Sequence, residues 1–130
     1  MAISRNSFQS PFKHSFGLVT YAILSGGPVP SGLMLEGAAH LAGVLHRAGY
    51  RPKVYDFNNF EVIDTIARIG KAAFLDHCVD YLHAEIARYK MKIIGFTLYT
   101  NGFYDCVQIA ERLKARNRGL IIAAGGPLVG

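Results

Sequence analysis

The stretch Met91–Thr100, MKIIGFTLYT, followed at once by Asn101–Gly119, NGFYDCVQIAERLKARNRG, decides the fold of this chain. The first part is a short apolar run with little polar alternation, the pattern of a strand covered on both faces. The second carries Val107, Ala110 and Leu113 at helical spacing, with Glu111, Lys114 and Arg118 turned the other way. It predicts an amphipathic helix with Asn101 as its N-cap. Leu120–Gly126, LIIAAGG, is again a continuous apolar run. A strand, a helix and a strand of this kind pair in parallel through a crossover.

The same unit repeats towards the N-terminus. Gly17–Leu24, GLVTYAIL, predicts a first strand, and Ser25–Gly32, SGGPVPSG, a loop by its composition. Leu35, Ala38, Ala39, Ala42 and Leu45 recur at i, i+3, i+4, i+7 and i+10. They predict a helix with one apolar face, closed by Gly49. Arg51–Phe57, RPKVYDF, is a shorter and more polar strand, suited to a sheet edge. Asn58–Lys90 is helical, divided at Gly70, with Phe74, Cys78, Leu82 and Ile86 lining one face. The order β-α-β-α-β-α-β predicts an α/β fold, a Rossmann-like (flavodoxin-like) doubly wound parallel sheet of four strands. Residues 1–16, MAISRNSFQSPFKHSF, are expected to form an N-terminal arm, and residues 17–130 the α/β domain.

Composition narrows the function classes. About half of the 130 residues are hydrophobic, which suits one globular domain with a sizeable core. The net charge is +5, but the basic residues are dispersed. That describes a solvated surface and not a nucleic-acid site. Cys78 and Cys106 are too few for a disulfide framework and predict reduced, buried thiols in a cytoplasmic protein. No Cys-x-x-Cys occurs, which argues against a cysteine-based zinc or iron–sulfur site within the chain. His14, His40, His46, His77 and His83 show no metal-site spacing. No segment approaches the roughly 18 apolar residues of a membrane span, and the N-terminus lacks a signal-peptide core.

In open parallel sheets, ligands bind outside the carboxyl ends of the strands. Three loops fall there: Ser25–Gly32, Thr100–Gly102 and Gly125–Gly130. In the first, Ser25, Gly26, Gly27, Pro28, Ser31 and Gly32 are the candidates. The loop is neither a P-loop nor a G-x-G-x-x-G turn. Thr97, Thr100 and Asn101 stand at the end of the third strand, where Thr97 either faces a ligand or lies under the sheet. Gly125, Gly126 and Pro127 close the fourth. Asp56 and Asn58 follow the second strand, where dinucleotide sites contact a sugar. From the residues alone the reading stops at an α/β domain with a ligand crevice.

Three segments together carry a resemblance: Pro28–Asn58, PVPSGLMLEGAAHLAGVLHRAGYRPKVYDFN; Lys92–Phe103, KIIGFTLYTNGF; and Ile121–Gly130, IIAAGGPLVG. From about Gly17 to Gly130, the chain resembles the N-terminal cobalamin-binding domain of cobalamin-dependent radical S-adenosylmethionine enzymes. In the wider cobalamin-binding superfamily, Thr97-Leu98-Tyr99 stands in place of Ser-x-Leu, and Gly125-Gly126 in place of Gly-Gly. Gly32–Gly37 falls over the Asp-x-His-x-x-Gly motif, but the Asp and His are absent and Met34 takes the histidine's position. The resemblance therefore implies a cobalt not held by a histidine of that motif, which favours the radical branch; Met34 reads as packing at a helix start, with a role as cobalt ligand the alternative.

The resemblance implies cobalamin as cofactor, its nucleotide tail inserted between strands and its corrin facing a second domain. Backbone groups of Gly125, Gly126 and the Ser25–Gly32 loop would hold it, with hydroxyls from Thr97 and Thr100 and with Tyr99 in the same motif. The second domain, in this or a partner chain, would bind an iron–sulfur (4Fe–4S) cluster and S-adenosylmethionine through a Cys-x-x-x-Cys-x-x-Cys triplet. Methyl transfer to a carbon or phosphorus centre is the implied chemistry. No such triplet is present here, so the chain is expected not to be catalytic alone. The helix and fifth strand that follow Gly-Gly-Pro in the family are also missing, so the chain is expected to be one piece of a larger enzyme. Two other classes remain open: a non-enzymatic module of this type mediating protein contacts, and a flavodoxin-like domain binding FMN or a nucleotide.

Overall fold

A computed structural model of the chain describes residues 14–21, 36–57, 60–99 and 102–126. They form β1 (Ser15–Thr20), α1 (Glu36–Arg47), β2 (Arg51–Asp56), α2 (Phe60–Ile69), α3 (Lys71–Tyr89), β3 (Ile93–Thr97), α4 (Phe103–Arg116) and β4 (Ile121–Gly125). All four strands are parallel, in the order β2-β1-β3-β4. This is the expected α/β, Rossmann-like arrangement, with the polar β2 at an edge.

The register fixes two faces, because side chains alternate along a strand. One face carries Val19 and Tyr21 from β1 and its end, and Ile94 and Phe96 from β3. These pack with Phe74, Cys78, Leu82 and Ile86 of α3 and Cys106, Ile109 and Leu113 of α4 to make the core. The four expected α3 residues all lie in it, at i+4 spacing. On the other face, three rows cross the sheet from β2 to β4. They read Pro52, Phe16, Ile93, Ile121; then Val54, Leu18, Gly95, Ala123; then Asp56, Thr20, Thr97, Gly125. Only α1 packs on this side among the described residues, and it lies mainly over β2 and β1.

Several local expectations shift. β1 begins at Ser15, inside the stretch expected to be an arm, because Phe16 pairs with Pro52 and Ile93 and its ring meets Tyr50 edge-on. Residues 22–24, the expected end of that strand, lie outside the described residues. On α1, Ala38 is buried but Ala39 is exposed, and Leu41 and Val44 stay largely open. The helix is rotated towards β2, so its apolar side is only partly covered. On α4 the buried line is Cys106, Ile109 and Leu113, with Val107 half-buried at its margin. Arg118 lies beyond the helix end. The N-cap position falls on Gly102 and makes no side-chain cap bond. Asn101, the expected cap, lies outside the described residues.

Two helix ends follow from backbone chemistry. Gly70, at φ +86°, separates α2 from α3, as expected. α3 ends on Lys90, a non-glycine residue at φ 52°, whose amide donates to the Ala87 carbonyl while the Met91 amide donates to Ile86. This left-handed closure turns the buried Met91 into the sheet. Arg112–Asp76 and Arg116–Asp80 tie α4 to α3 across their outer surfaces. Such exposed pairs add little stability each.

Candidate functional site

The off-centre seat of α1 leaves the β3–β4 half of its face open. A cleft of about 400 Å³ lies there, between Ala38 and Leu41 of α1 and the strand residues Leu18, Gly95, Ala123 and Gly125. Its floor is built from the smallest residues available. A Cβ at Gly95 would meet Leu18 and Phe16 side-chain carbons at 3.5 Å, an ordinary contact. The glycine therefore lowers the floor and relieves no clash. Phe16 and Leu18 form one wall, and Thr97, Tyr99 and Gly126 stand at the end where the strands finish. No charged side chain lines it among the described residues.

The carboxyl ends of β3 and β4 are locked together. The Leu98 amide donates to the Gly125 carbonyl at 2.8 Å, extending the ladder one step beyond β3. Gly126 then turns at φ +97° against the Leu98 backbone. On the other side of Tyr99, the Gly102 amide donates to its carbonyl at 3.1 Å. A Cβ on Gly102 would sit 2.2 Å from the Tyr21 carbonyl oxygen, so α4 starts hard against the end of β1.

Thr97, Tyr99, Gly125 and Gly126 are thus brought into one cleft. Ser25, Gly26, Gly27, Pro28, Ser31, Gly32, Thr100, Asn101 and Pro127 lie outside the described residues, as do Met34 and Asn58. Thr97 is half-buried and lines the cleft. Asp56 accepts the Thr20 hydroxyl at 2.9 Å, in the same row as Thr97 but at the far edge of the sheet. It does not line the cleft. Phe16, Leu18, Leu41, Gly95 and Ala123 were not anticipated. Gly95 carried a signal, since an isolated glycine inside a strand pattern marks a close approach of something to the backbone.

A second polar group lies under the other face. Asp105, in the first turn of α4, is buried and ion-paired to Lys71 at the start of α3, 3.0 Å away. The Tyr21 phenol is raised well above its ordinary pKa, first by burial and then by Asp105. Burial, with Asp105 second, pushes both Cys78 and Cys106 up to about 12. These thiols are free, and they stay protonated and unreactive at neutral pH. The described residues contain no cluster of His, Cys, Asp or Glu able to hold a metal, and no helix among them is long and apolar enough to cross a membrane. Comparison of the chain with protein-family models, with curated proteins and with solved structures finds no match.

Proposed function

We propose that this chain is a cobalamin-binding domain, one piece of a cobalamin-dependent radical S-adenosylmethionine enzyme of the methyltransferase type, working in the cytoplasm. The observation that carries the reading is the uncharged cleft floored by Gly95, Ala123 and Gly125 at the carboxyl ends of a parallel sheet. Its volume and apolar lining suit an uncharged heteroaromatic group and its sugar, the size of a nucleotide tail and smaller than a whole corrinoid. A phosphate-led ligand such as FMN gains less there, because no lysine or arginine lines the cleft among the described residues.

On this reading Leu18, Gly95 and Ala123 receive the flat tail. Leu41 closes over it, and Thr97 offers a hydroxyl at the mouth. The Gly126 turn keeps side chains out of the way, so that backbone groups can approach the cofactor's amides. Cobalamin, when bound, supplies the methyl-carrying cobalt, and this domain positions it. None of the five histidines lines the cleft among the described residues. That is consistent with the absence of the motif histidine. The iron–sulfur cluster and S-adenosylmethionine belong to a catalytic domain in the same or a partner chain.

The test is reconstitution. The chain is mixed with hydroxocobalamin, desalted and scanned for corrin absorbance, with circular dichroism on the same sample to establish folding. Retention of about one corrinoid per chain supports the reading. A folded chain that elutes free of corrin, while flavin mononucleotide is retained, overturns it.

A further inference from the structure

A second hollow, of about 310 Å³, lies at the β2 edge, where Tyr55 and Phe57 meet α2 and α3. It shares no lining residue with the cleft under α1 and owes nothing to the cofactor proposal. Its walls are aromatic. The Tyr81 ring stands at 81° to Tyr55 and 85° to Phe57, with centroids 6.0 and 6.4 Å away. His77 stacks beside Tyr81, one helical turn earlier, at 6.5 Å. Phe74 backs the inner end against Phe57.

The charge of this hollow runs against that of the chain. The molecule carries a net +5, yet Glu61 lines the hollow and no lysine or arginine does among the described residues. Asp56 also borders it, but its carboxylate accepts the Thr20 hydroxyl on the opposite face of the sheet. Tyr81 is 44% exposed, so a large aromatic face is open to solvent at the mouth.

Aromatic faces carry negative electrostatic potential and attract cations set against them. The Glu61 carboxylate adds a longer-range attraction and disfavours anions. A compact, strongly hydrated metal ion loses more water than the rings replace. A methylated ammonium has little water to lose and fits the ring faces through its methyl groups. We propose that the hollow binds a small organic ammonium ion, its methylated head against Tyr81 and His77 and its charge balanced by Glu61.

The test is a calorimetric titration of the full chain with tetramethylammonium and choline chlorides, with tyrosine ring shifts followed by NMR. Sodium chloride serves as the salt control, and 3,3-dimethylbutan-1-ol as the neutral isostere of choline. The expected result is saturable binding of both ammonium ions, with the neutral isostere weaker by about tenfold. Tyr81→Leu and Glu61→Gln should each weaken the ammonium ions by about three- to tenfold. No saturable binding by the folded chain, equal affinity for the neutral isostere, or unchanged affinity in Glu61→Gln would overturn the proposal. Glu61 is exposed, so that variant keeps the test valid even if Tyr81→Leu perturbs folding.

Discussion

Gly126 is set directly against the backbone of Leu98. A Cβ at position 126 would fall 3.0 Å from both the amide nitrogen and the carbonyl oxygen of Leu98, and the residue holds φ at +97°. Backbone atoms cannot turn aside as a flexible side chain can, and the same step carries the Leu98–Gly125 hydrogen bond of 2.8 Å. Gly126→Ala should therefore cost about 1–3 kcal/mol and disturb the mouth of the cleft. Chemical denaturation reads the stability. A loss below about 0.5 kcal/mol would mean that the turn relaxes freely.

Gly102 gives a harsher prediction for a different reason. Its own φ is unremarkable at −116°, but the Tyr21 carbonyl oxygen occupies the place of a Cβ, 2.2 Å away. Gly102→Ala must push α4 off the end of β1, disturbing the buried contacts of Cys106 and Ile109. The expected cost is about 2–4 kcal/mol, at the upper end of single substitutions. A fall in the urea midpoint, with the slope unchanged, would be its signature.

Lys90 should improve when simplified. It is the non-glycine residue at positive φ among the described residues, and it ends α3 where glycine is the usual choice. Its side chain is exposed. Lys90→Gly should stabilise the fold by about 0.5–1 kcal/mol, since the left-handed strain exceeds glycine's extra unfolded-state entropy. An unchanged or lower thermal midpoint would show that the αL position carries no strain.

The buried thiols set a pH dependence with a definite sign. Cys78 and Cys106 rise from 9.0 to about 12 on folding, by burial first and Asp105 second. The unfolded chain then releases protons that the folded chain keeps. Stability is complete below about pH 9 and falls as pH climbs towards 12, by up to about 1.4 kcal/mol per unit for each thiol. Tyr21 and Tyr55, raised by burial from 10.0, steepen the loss further up. Urea midpoints from pH 8 to 10.5 should bend downward near pH 9, and Cys106→Ala should flatten the bend. A flat profile would contradict this.

The fold was legible because the chain repeats one unit, an apolar strand followed by an amphipathic helix. Met91–Thr100 and Leu120–Gly126 carry the strand part of that pattern with little polar interruption. The strand ends were less legible. Ser15 and Phe16 read as an arm from their polar and aromatic setting, and only pairing with Arg51, Pro52 and Ile93 makes them strand. The site was legible where it rests on turn chemistry, at Gly125 and Gly126. Its floor was not, because Gly95, Ala123 and Leu18 become neighbours through sheet register, and register is a relation between strands that no single segment displays. The aromatic hollow escaped for the same reason. Tyr55 and Phe57 come from β2 and the residue after it, Phe74 and Tyr81 from α3, and their meeting depends on how α3 lies on β2.

The most direct test of the cobalamin proposal is an equilibrium titration of hydroxocobalamin into the wild-type chain and into Gly95→Val, followed by the corrin spectrum. Valine suits a strand, and ordinary contacts surround the position, so the variant should fold while its side chain rises into the cleft floor. The prediction is one corrinoid per wild-type chain and an affinity at least about tenfold weaker in Gly95→Val, with the sheet's circular dichroism unchanged. A folded wild-type chain that binds no corrinoid, or a Gly95→Val chain that binds it equally well, would contradict it.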